Sequence, residues 1–384
     1  MTPAVYINDI AGFLPNEPIG NDAIEHVLGM VGGKPSRSKK LVLRNNGIKT
    51  RYYAIDPQTG KYTHNNAQMT AEAVRALSKK SGFNLNDMEV LSCGTSSPDQ
   101  FKPAHGQMVQ GELGCPPCEV ITTAGVCSSG MTAMKYGYMN VALGLSKTAV
   151  CAGSEFASSF MRGANFEPEI HARIDKLEKH PELGFEKDFL RWMLSDGAGA
   201  ALISSKPNQN RISLHIDWID YLSFAGDMQV CMYSGAIKQE DGYLKGWREA
   251  DDPLDIIKQG YFSSKQDARL LDKYIISVSV ERALLPIAAK RGLRADEVVW
   301  FLPHYSSEYF REKLYNSMAS NGFNIPFNRW FTNLTVKGNV GAASIYLIIE
   351  ELLYSGRLKK GDRLLCYIPE SARFSICYML LTVV

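Results

Sequence analysis

The stretch RALSKKSGFNLNDMEVLSCGTSS (residues 75–97) decides the fold, because a second stretch repeats its plan. The second stretch is LLPIAAKRGLRADEVVWFLPHYSS (284–307). Both stretches begin with a helical pattern, continue with a glycine and a short acidic segment, and end with a β-rich strand and a serine-rich turn. Matched positions lie about 210 residues apart, and nearly the same offset places Cys127 opposite Asn339. We therefore expect two similar halves of βαβ-rich plan, with chance resemblance between two α/β units as the alternative.

The two halves also continue alike beyond these stretches. A helical run and the strand KTAVCAGSE (147–155) follow Cys127, while a helical run and the strand GDRLLCYIPES (361–371) follow Asn339. The second helix is indicated by apolar residues at i, i+3, i+4 and i+7, namely Ile345, Ile348, Ile349 and Leu352. If the halves pack about a pseudo-twofold axis, the strand-to-helix turns at Cys127 and Asn339 meet there, together with the turn that carries His304.

The composition of the chain excludes several function classes. Its 384 residues are 45% hydrophobic, enough for one large domain or two similar halves with a substantial core. A formal net charge of +2 gives no electrostatic reason to expect a nucleic-acid partner. No apolar run is long enough for a membrane span, and MTPAVYINDIAGFLPNEPIG (1–20) lacks the basic segment and cleavage site of a signal peptide. We therefore expect a cytoplasmic protein without membrane contact.

Eight cysteines lie mostly inside apolar runs, which is typical of reduced thiols in a reducing compartment. Cys115 and Cys118 form a C-x-x-C pair, CPPC, but no second pair and no suitably spaced histidine pair completes a zinc site. We interpret CPPC as a rigid turn, with metal or redox chemistry as the alternative. The sequence thus predicts no metal site.

Cys127, His304 and Asn339 are the candidate catalytic residues. A thiolate at a helix N-terminus is stabilised by unpaired amides and by the helix dipole, so we expect a lowered pKa for Cys127. His304 follows a hydrophobic strand and Pro303, where a neutral imidazole can donate to a developing oxyanion, and the Asn339 amide can supply a second donor. Each residue alone is also compatible with a packing cysteine, a strand-end histidine or a turn; the matching repeat positions favour the joint functional interpretation.

At these residues the sequence resembles a known family. Four motifs follow in order the patterns of the β-ketoacyl-acyl-carrier-protein synthase III group of the thiolase fold: GVCSSGMTAMKYG (125–137), SDGAGAALIS (195–204), FLPHYSS (301–307) and KGNVGAASIY (337–346). LRNNGIKTRYYA (43–54) is similar to that family's TGI-x-x-R segment. The resemblance implies an α/β, five-layered αβαβα fold of two halves, which we place at 1–205 and 206–384, and a homodimer.

The resemblance also implies a reaction. Cys127 would take an acyl group from a coenzyme A or acyl-carrier-protein thioester, and His304 and Asn339 would hold the carbonyl of a second thioester while its enolate attacks the acyl-cysteine. The result is a Claisen condensation that needs no cofactor beyond the thioester substrates. An acyltransferase that esterifies or amidates, or a silent subunit of the same fold, remains open, although Asn339 favours condensation.

Two segments depart from the family pattern. PESARF (369–374) replaces the family's GGGF loop, so the oxyanion hole would combine the backbone amide of Cys127 with that of Ala372 or Arg373. The charged segment at about 156–194 is longer than the family's usual stretch; we expect helices that cap the substrate entrance, with a solvated surface insertion as the alternative.

Finer expectations rest on single residues. FLPHYSSEYFR (301–311) most resembles the ketosynthases of dialkylresorcinol and flexirubin-type pathways, which join two medium-chain acyl thioesters. If no carboxylate is lost from the substrate, a base must remove an α-proton. Asp99, in a loop that reaches the partner's site in the family, and Glu155 are the candidates, with a surface turn as the alternative for Asp99. Cations that could bind the phosphates of the thioester donor are Arg44, Arg162 and Lys337, unless they are simply solvated.

Overall fold

The computed structural model describes residues 3–167 and 189–384. The first half contains β1 (Tyr6–Phe13), β2 (Ile19–Gly20), α1 (Ile24–Leu28), α2 (Lys39–Asn46), β3 (Thr50–Arg51), α3 (Asn66–Ser81), β4 (Val90–Thr95), α4 (His105–Leu113), β5 (Glu119–Ala124), α5 (Ser129–Ala142), β6 (Thr148–Glu155), α6 (Ser158–Met161) and β7 (Gly197–Ser204). The second half contains β8 (Leu214–Ser223), β9 (Met232–Tyr233), β10 (Ala236–Lys238), β11 (Leu244–Gly246), α7 (Pro253–Lys258), β12 (Lys265–Gln266), α8 (Ala268–Ser277), a π-helical segment (Val278–Leu284), α9 (Leu285–Arg291), β13 (Trp300–Pro303), α10 (Arg311–Ser320), α11 (Leu334–Lys337), α12 (Ser344–Leu353), β14 (Arg363–Glu370) and β15 (Ser375–Val383).

The sheet topology confirms the predicted duplication. Nine strands of the described residues run in the order β13-β14-β15-β8-β1-β7-β6-β4-β5. In the first half β4 is parallel to β5 and β6, while β6, β7 and β1 alternate in direction. In the second half β13 is parallel to β14, and β14, β15 and β8 alternate in the same way. The counterpart of β5 is reduced to one parallel bridge between Phe301 and Trp330.

The halves join where β1 pairs with β8, and helices cover both faces of the strands. In β14, Leu364, Cys366 and Ile368 pack into a central core cluster with α5 and α12, while Leu365 and Tyr367 pack into the outer cluster. This alternation is the period of two expected for a strand that is buried on both faces. A third cluster places α3 and α4 on the outer face of the first half. The order helix, sheet, helix, sheet, helix is the predicted five-layered arrangement.

Small residues allow the central helices to approach the first-half strands closely. A Cβ on Gly153 of β6 would collide with the carbonyl oxygen of Ala342, just before α12. The Tyr346 hydroxyl on α12 donates to the Gly130 carbonyl of α5 at 2.7 Å. This contact fixes α12 against α5, so the turns that precede the two helices, at Asn339 and Cys127, lie at the same end of the central layer.

Other expectations concern the cysteines and the charged segment. All eight cysteines are free thiols, and Cys115 and Cys118 are half-buried between α4 and β5. Among the described helices, none has the length and apolarity that a bilayer crossing requires. Most of the predicted cap at 156–194 lies outside the described residues; its described ends include α6 and Phe189–Leu194.

Candidate active site

Cys127 lies in the turn between β5 and α5, as the sequence predicts. Its side chain is 9% exposed, and the following residue, Ser128, is the N-cap of α5. The turn ends a strand in the first half and faces β14 of the second half across the central layer. The nucleophile candidate therefore lies at the junction of the two halves.

The electrostatics of the thiol differ from the expectation. Burial, followed by the carboxylates of Glu155 and Glu370, raises the pKa of Cys127, and the residue's own backbone N–H opposes this rise. The prediction of a lowered pKa was wrong because it counted the helix terminus but neither the burial of the thiol nor the two carboxylates that the fold brings beside it. The thiol is protonated at neutral pH, so its attack on a thioester requires a proton acceptor.

His304 follows β13 and is buried. Its backbone N–H donates to the Tyr367 carbonyl at 2.8 Å, which continues the pairing of β13 with β14 beyond the strand end. Burial lowers the pKa of His304 to about 4. The imidazole is therefore neutral at physiological pH, the state in which one ring nitrogen donates a hydrogen bond without carrying charge.

Asn339 is held by backbone hydrogen bonds on both sides. Its N–H donates to the Met193 carbonyl at 3.0 Å, and its carbonyl accepts from Ser195 at 2.9 Å. The side-chain oxygen accepts from the Gly341 N–H at 2.9 Å. Because this contact uses the oxygen, the NH₂ group is the end of the carboxamide that can donate to a ligand.

Two cavities meet at Cys127. One, of about 430 Å³, is lined by Cys127, Glu155 and Asn339 among others. A narrow one of about 30 Å³ is lined by Cys127 and His304, and Ser306 lines both. The structure thus brings the three candidate catalytic residues to the walls of adjoining cavities, with the sulfur at the junction.

Glu155, a candidate base, ends β6 inside the larger cavity and is 3% exposed. Its carboxylate accepts from the Ser96 N–H at 2.9 Å and from the Ser96 hydroxyl at 2.6 Å, with longer contacts to the hydroxyls of Thr95 and Ser97. Burial outweighs these hydrogen bonds and raises the pKa of Glu155 to about 7. A carboxylate with that pKa exchanges a proton readily near neutral pH.

Asp99, the other candidate base, has a different role in this chain. Its two carboxylate oxygens accept from the backbone N–H groups of Asn66 and Ala67 at 2.8 and 2.9 Å. These are first-turn donors of α3 that would otherwise lack partners. Asp99 is exposed and caps a helix, which argues against its use as the base.

The oxyanion-hole role of the Ala372 or Arg373 backbone amide stays a prediction, and other groups of these two residues have partners. The Ala372 carbonyl accepts from Cys231 at 2.8 Å, and exposed Arg373 donates to the Met228 carbonyl at 3.1 Å, so both residues are engaged on the side of β9. Ser371 instead lines both cavities at Cys127. The backbone of this loop is left-handed at Phe374, with φ of 56°.

Sequence reasoning missed Glu370. It is the last residue of β14, and its Oε2 atom accepts from the backbone N–H groups of Val126 and Ser128, the two neighbours of Cys127, at 3.0 and 3.3 Å. The replacement of a glycine-rich loop by a segment that contains glutamate was the one available signal.

The candidate phosphate-binding cations are dispersed. Lys337 forms an ion pair with Glu351 at 2.9 Å, and the Arg162 guanidinium lies over the Tyr62 ring at 5.2 Å. Arg44 is exposed on α2, and none of the three lines the two cavities at Cys127. Their predicted role stays a prediction.

Parts of the predicted cap do contact the larger cavity. The cavity wall includes Ser159 and Phe160 from the beginning of this segment and Leu190, Met193 and Leu194 from its end.

Within residues 3–167 and 189–384, no group of three or more His, Cys, Asp or Glu side chains is arranged to hold a metal ion.

Comparison with known proteins gives a consistent picture. Residues 288–367 match the family described as 3-oxoacyl-acyl-carrier-protein (ACP) synthase III C terminal. A β-ketoacyl-acyl-carrier-protein synthase III 2 of Deinococcus radiodurans is 25% identical over 73% of this chain and 70% of its own length. A β-ketoacyl-acyl-carrier-protein synthase III of Bartonella henselae is 21% identical over 93% of this chain and 92% of its own.

Solved structures share the fold across the full length. The tetronic acid condensing enzyme AbyA1 superposes with a TM-score of 0.74 at 16% identity, covering 98% of this chain and 99% of its own. Xanthomonas campestris OleA, solved with lauric acid and lauroyl-CoA, gives 0.72 at 16% identity with full coverage of both chains (100% and 100%). The chain therefore has the fold of these condensing enzymes, and its sequence is similar to that of β-ketoacyl-acyl-carrier-protein synthase III proteins over most of its length.

Proposed function

We propose that the protein is a ketosynthase that forms a carbon–carbon bond between two acyl thioesters through an acyl-Cys127 intermediate. The observation that carries the proposal is that Cys127 lines two cavities, one shared with Asn339 and Glu155 and the other shared with His304. Thiol, imidazole, carboxamide and carboxylate together are the groups that a two-step condensation requires.

In the first step the acyl group moves to the enzyme. The Cys127 sulfur forms a bond to the acyl carbon of the first thioester, the carbon–sulfur bond to the carrier breaks, and the thiol proton of Cys127 ends on the departing carrier thiolate. The backbone N–H of Cys127 lies beside the sulfur, where it can donate to the oxyanion of this step.

In the second step a base removes an α-proton from the second thioester. We assign this role to Glu155, because its pKa of about 7 suits proton transfer near neutral pH. The neutral His304 and the NH₂ group of Asn339 donate to the enolate oxygen. The enolate carbon attacks the acyl carbonyl, the new carbon–carbon bond forms, and the Cys127 thiolate leaves and is reprotonated.

Apolar walls support medium-chain acyl substrates. The narrow cavity is lined by Leu271, Ile275, Phe310 and Leu314, and a third cavity of about 590 Å³ shares Leu271 and Phe310 with it. The apolar space on the His304 side of Cys127 could hold one acyl chain, and the 430 Å³ cavity lined by Glu155 and Asn339 could hold the other. This arrangement supports a dialkylresorcinol-type condensation, with coenzyme A or an acyl-carrier protein as the donor. The predicted homodimer and cytoplasmic location stay predictions.

Intact-protein mass spectrometry tests the proposal. Incubation with acyl-coenzyme A of six to fourteen carbons should add one acyl mass to the wild type and none to Cys127→Ala. Asn339→Asp should still acquire the acyl mass but fail to form a condensed product with a second thioester. Acyl transfer to a hydroxyl or amine without condensed product would identify the alternative acyltransferase, and absence of any adduct would indicate a silent subunit.

Malonyl and unsubstituted second thioesters separate the two condensation routes. With Glu155 as the base, an unsubstituted acyl thioester should condense, and Glu155→Gln should abolish that product while leaving the acyl-enzyme intact. Condensation with a malonyl thioester alone, insensitive to Glu155→Gln, would reject the role given to Glu155.

A further inference from the structure

Glu370 contacts the nucleophile turn from the opposite half of the chain. Its Oε2 atom accepts from the Val126 N–H at 3.0 Å, from the Ser128 N–H at 3.3 Å and from the Ser128 hydroxyl. The Ser128 hydroxyl also contacts the Tyr221 hydroxyl at 2.9 Å. Glu370 is 8% exposed and Ser128 is 1% exposed, so these contacts form a buried connection between β14, β8 and the start of α5.

The pattern of the contacts singles out the peptide between them. Of three successive backbone N–H groups, those of residues 126 and 128 donate to one carboxylate oxygen, while that of Cys127 lies beside its own sulfur. Holding both neighbouring peptides restricts the peptide between them, because that rigid unit can then turn only by a coupled change of ψ at Val126 and φ at Cys127. The Cys127 N–H therefore keeps its direction toward the reacting sulfur.

We propose that Glu370 is a positioning residue, which holds the Cys127 turn so that the Cys127 backbone N–H faces the carbonyl oxygen of the incoming acyl group. The inference rests on the proposed acyl transfer to Cys127. It adds a residue that acts through backbone geometry rather than by contact with the substrate. It also offers a reason why the 369–374 loop, which lacks the glycines of the family's loop, can support an oxyanion hole: Glu370 within this loop holds the Cys127 turn on the opposite wall.

The length of the side chain and its charge make separable contributions. Glu370→Gln keeps an acceptor oxygen at the same reach and removes the charge. Glu370→Asp keeps the charge and withdraws the oxygens by about 1.5 Å, one carbon–carbon bond. Exposed Glu312 on α10 provides the matched control, Glu312→Gln.

The experiment measures acylation of Cys127 by decanoyl-coenzyme A and, separately, its alkylation by iodoacetamide over pH 6 to 10. Alkylation needs the thiolate but no oxyanion donor, so it isolates the effect on the sulfur. We expect Glu370→Asp to lower kcat for acylation by about 10²-fold at unchanged KM, since a misplacement near 1 Å costs about that factor. Its alkylation rate should match the wild type at each pH, because the carboxylate charge is kept, and Glu370→Gln should acylate within about threefold of the wild type.

Three results would overturn the inference. The first is an acylation rate of Glu370→Asp equal to that of the wild type. The second is acylation of Glu370→Gln as slow as that of Glu370→Asp. The third is a parallel loss of the acylation and alkylation rates in Glu370→Asp, which would indicate a collapsed turn. A wild-type protein that gains no acyl mass would instead reject the proposed function itself, and the two failures are therefore distinguishable.

Discussion

Replacing Glu155 with glutamine should make the stability of the protein less dependent on pH. Glu155 is buried, and its hydrogen-bond partners are the Ser96 backbone and the hydroxyls of Thr95, Ser96 and Ser97, none of which carries a positive charge. Its pKa rises from 4.5 to about 7 in the folded protein. Below pH 4.5 the carboxyl is protonated in both states, whereas above pH 7 the folded protein must hold a buried charge.

The magnitude follows from the shift. A change of roughly 2.5 pKa units corresponds to about 3 kcal/mol of lost stability above pH 7, of which about 2.5 kcal/mol is lost between pH 5 and pH 8. For 384 residues, an unfolding entropy of about 2.1 cal/mol/K per residue converts this into about 3 °C in Tm. The difference in Tm between Glu155→Gln and the wild type should therefore rise by about 3 °C from pH 5 to pH 8, because the amide stays neutral throughout.

Differential scanning fluorimetry at half-unit pH steps measures this difference. Glu312→Gln, on the exposed face of α10, is the control and should parallel the wild type at every pH. If the Glu155→Gln and wild-type curves also run parallel within 1 °C, Glu155 is not held in the protonation state that we infer. The assignment of this carboxylate as the base for an α-proton would then lose its physical support.

Further predictions concern other residues. His304→Ala should still form the acyl-enzyme but condense about 10²- to 10³-fold more slowly, as expected for a lost oxyanion donor, measured in single-turnover product assays. Gly153→Ala should lower stability by about 1 to 3 kcal/mol in denaturant titrations, because its Cβ collides with the Ala342 carbonyl, whereas Gly111→Ala meets open space and should not destabilise. Asp99→Ala should cost about 1 kcal/mol as a lost helix cap. Asp99→Ala should leave the pH profile of the condensation rate unchanged. If the variant instead lost the plateau of that rate at alkaline pH, Asp99 would act as a base.

The sequence predicted the parts of the fold that depend on local pattern and on duplication. The strand predicted within 361–371 and the helix predicted from the i, i+3, i+4, i+7 pattern are local signals, and both occur where expected, as β14 and α12. The equivalence of Cys127 and Asn339 followed from matching strand and helix order in the halves. In a duplicated fold, equivalent turns lie close together at the pseudo-twofold axis. A weak sequence repeat was therefore sufficient to predict that these two distant residues lie near each other.

The predictions that failed depend on neighbours from distant segments. The pKa of Cys127 was predicted from its own helix terminus, whereas Glu370, more than two hundred residues away, contributes to the opposite shift. Asp99 is not such a failure, because its exposed position was one of the two predicted alternatives; its contact with Asn66 at the start of α3 was missed, since no local pattern links the two residues. Contacts between residues that are far apart in the sequence produce no periodic pattern in a single sequence.

The position of β1 between β7 and β8 has a consequence for biosynthesis. Tyr6 pairs with Ser204 on one side and with His215 on the other, so this strand leaves the ribosome about 200 residues ahead of both neighbours. At about 5 to 20 residues per second, the nascent chain exposes an unpaired apolar strand for roughly 10 to 40 s. Productive maturation of the enzyme in the cell therefore favours a holding chaperone that shields the N-terminal segment until translation has passed β8.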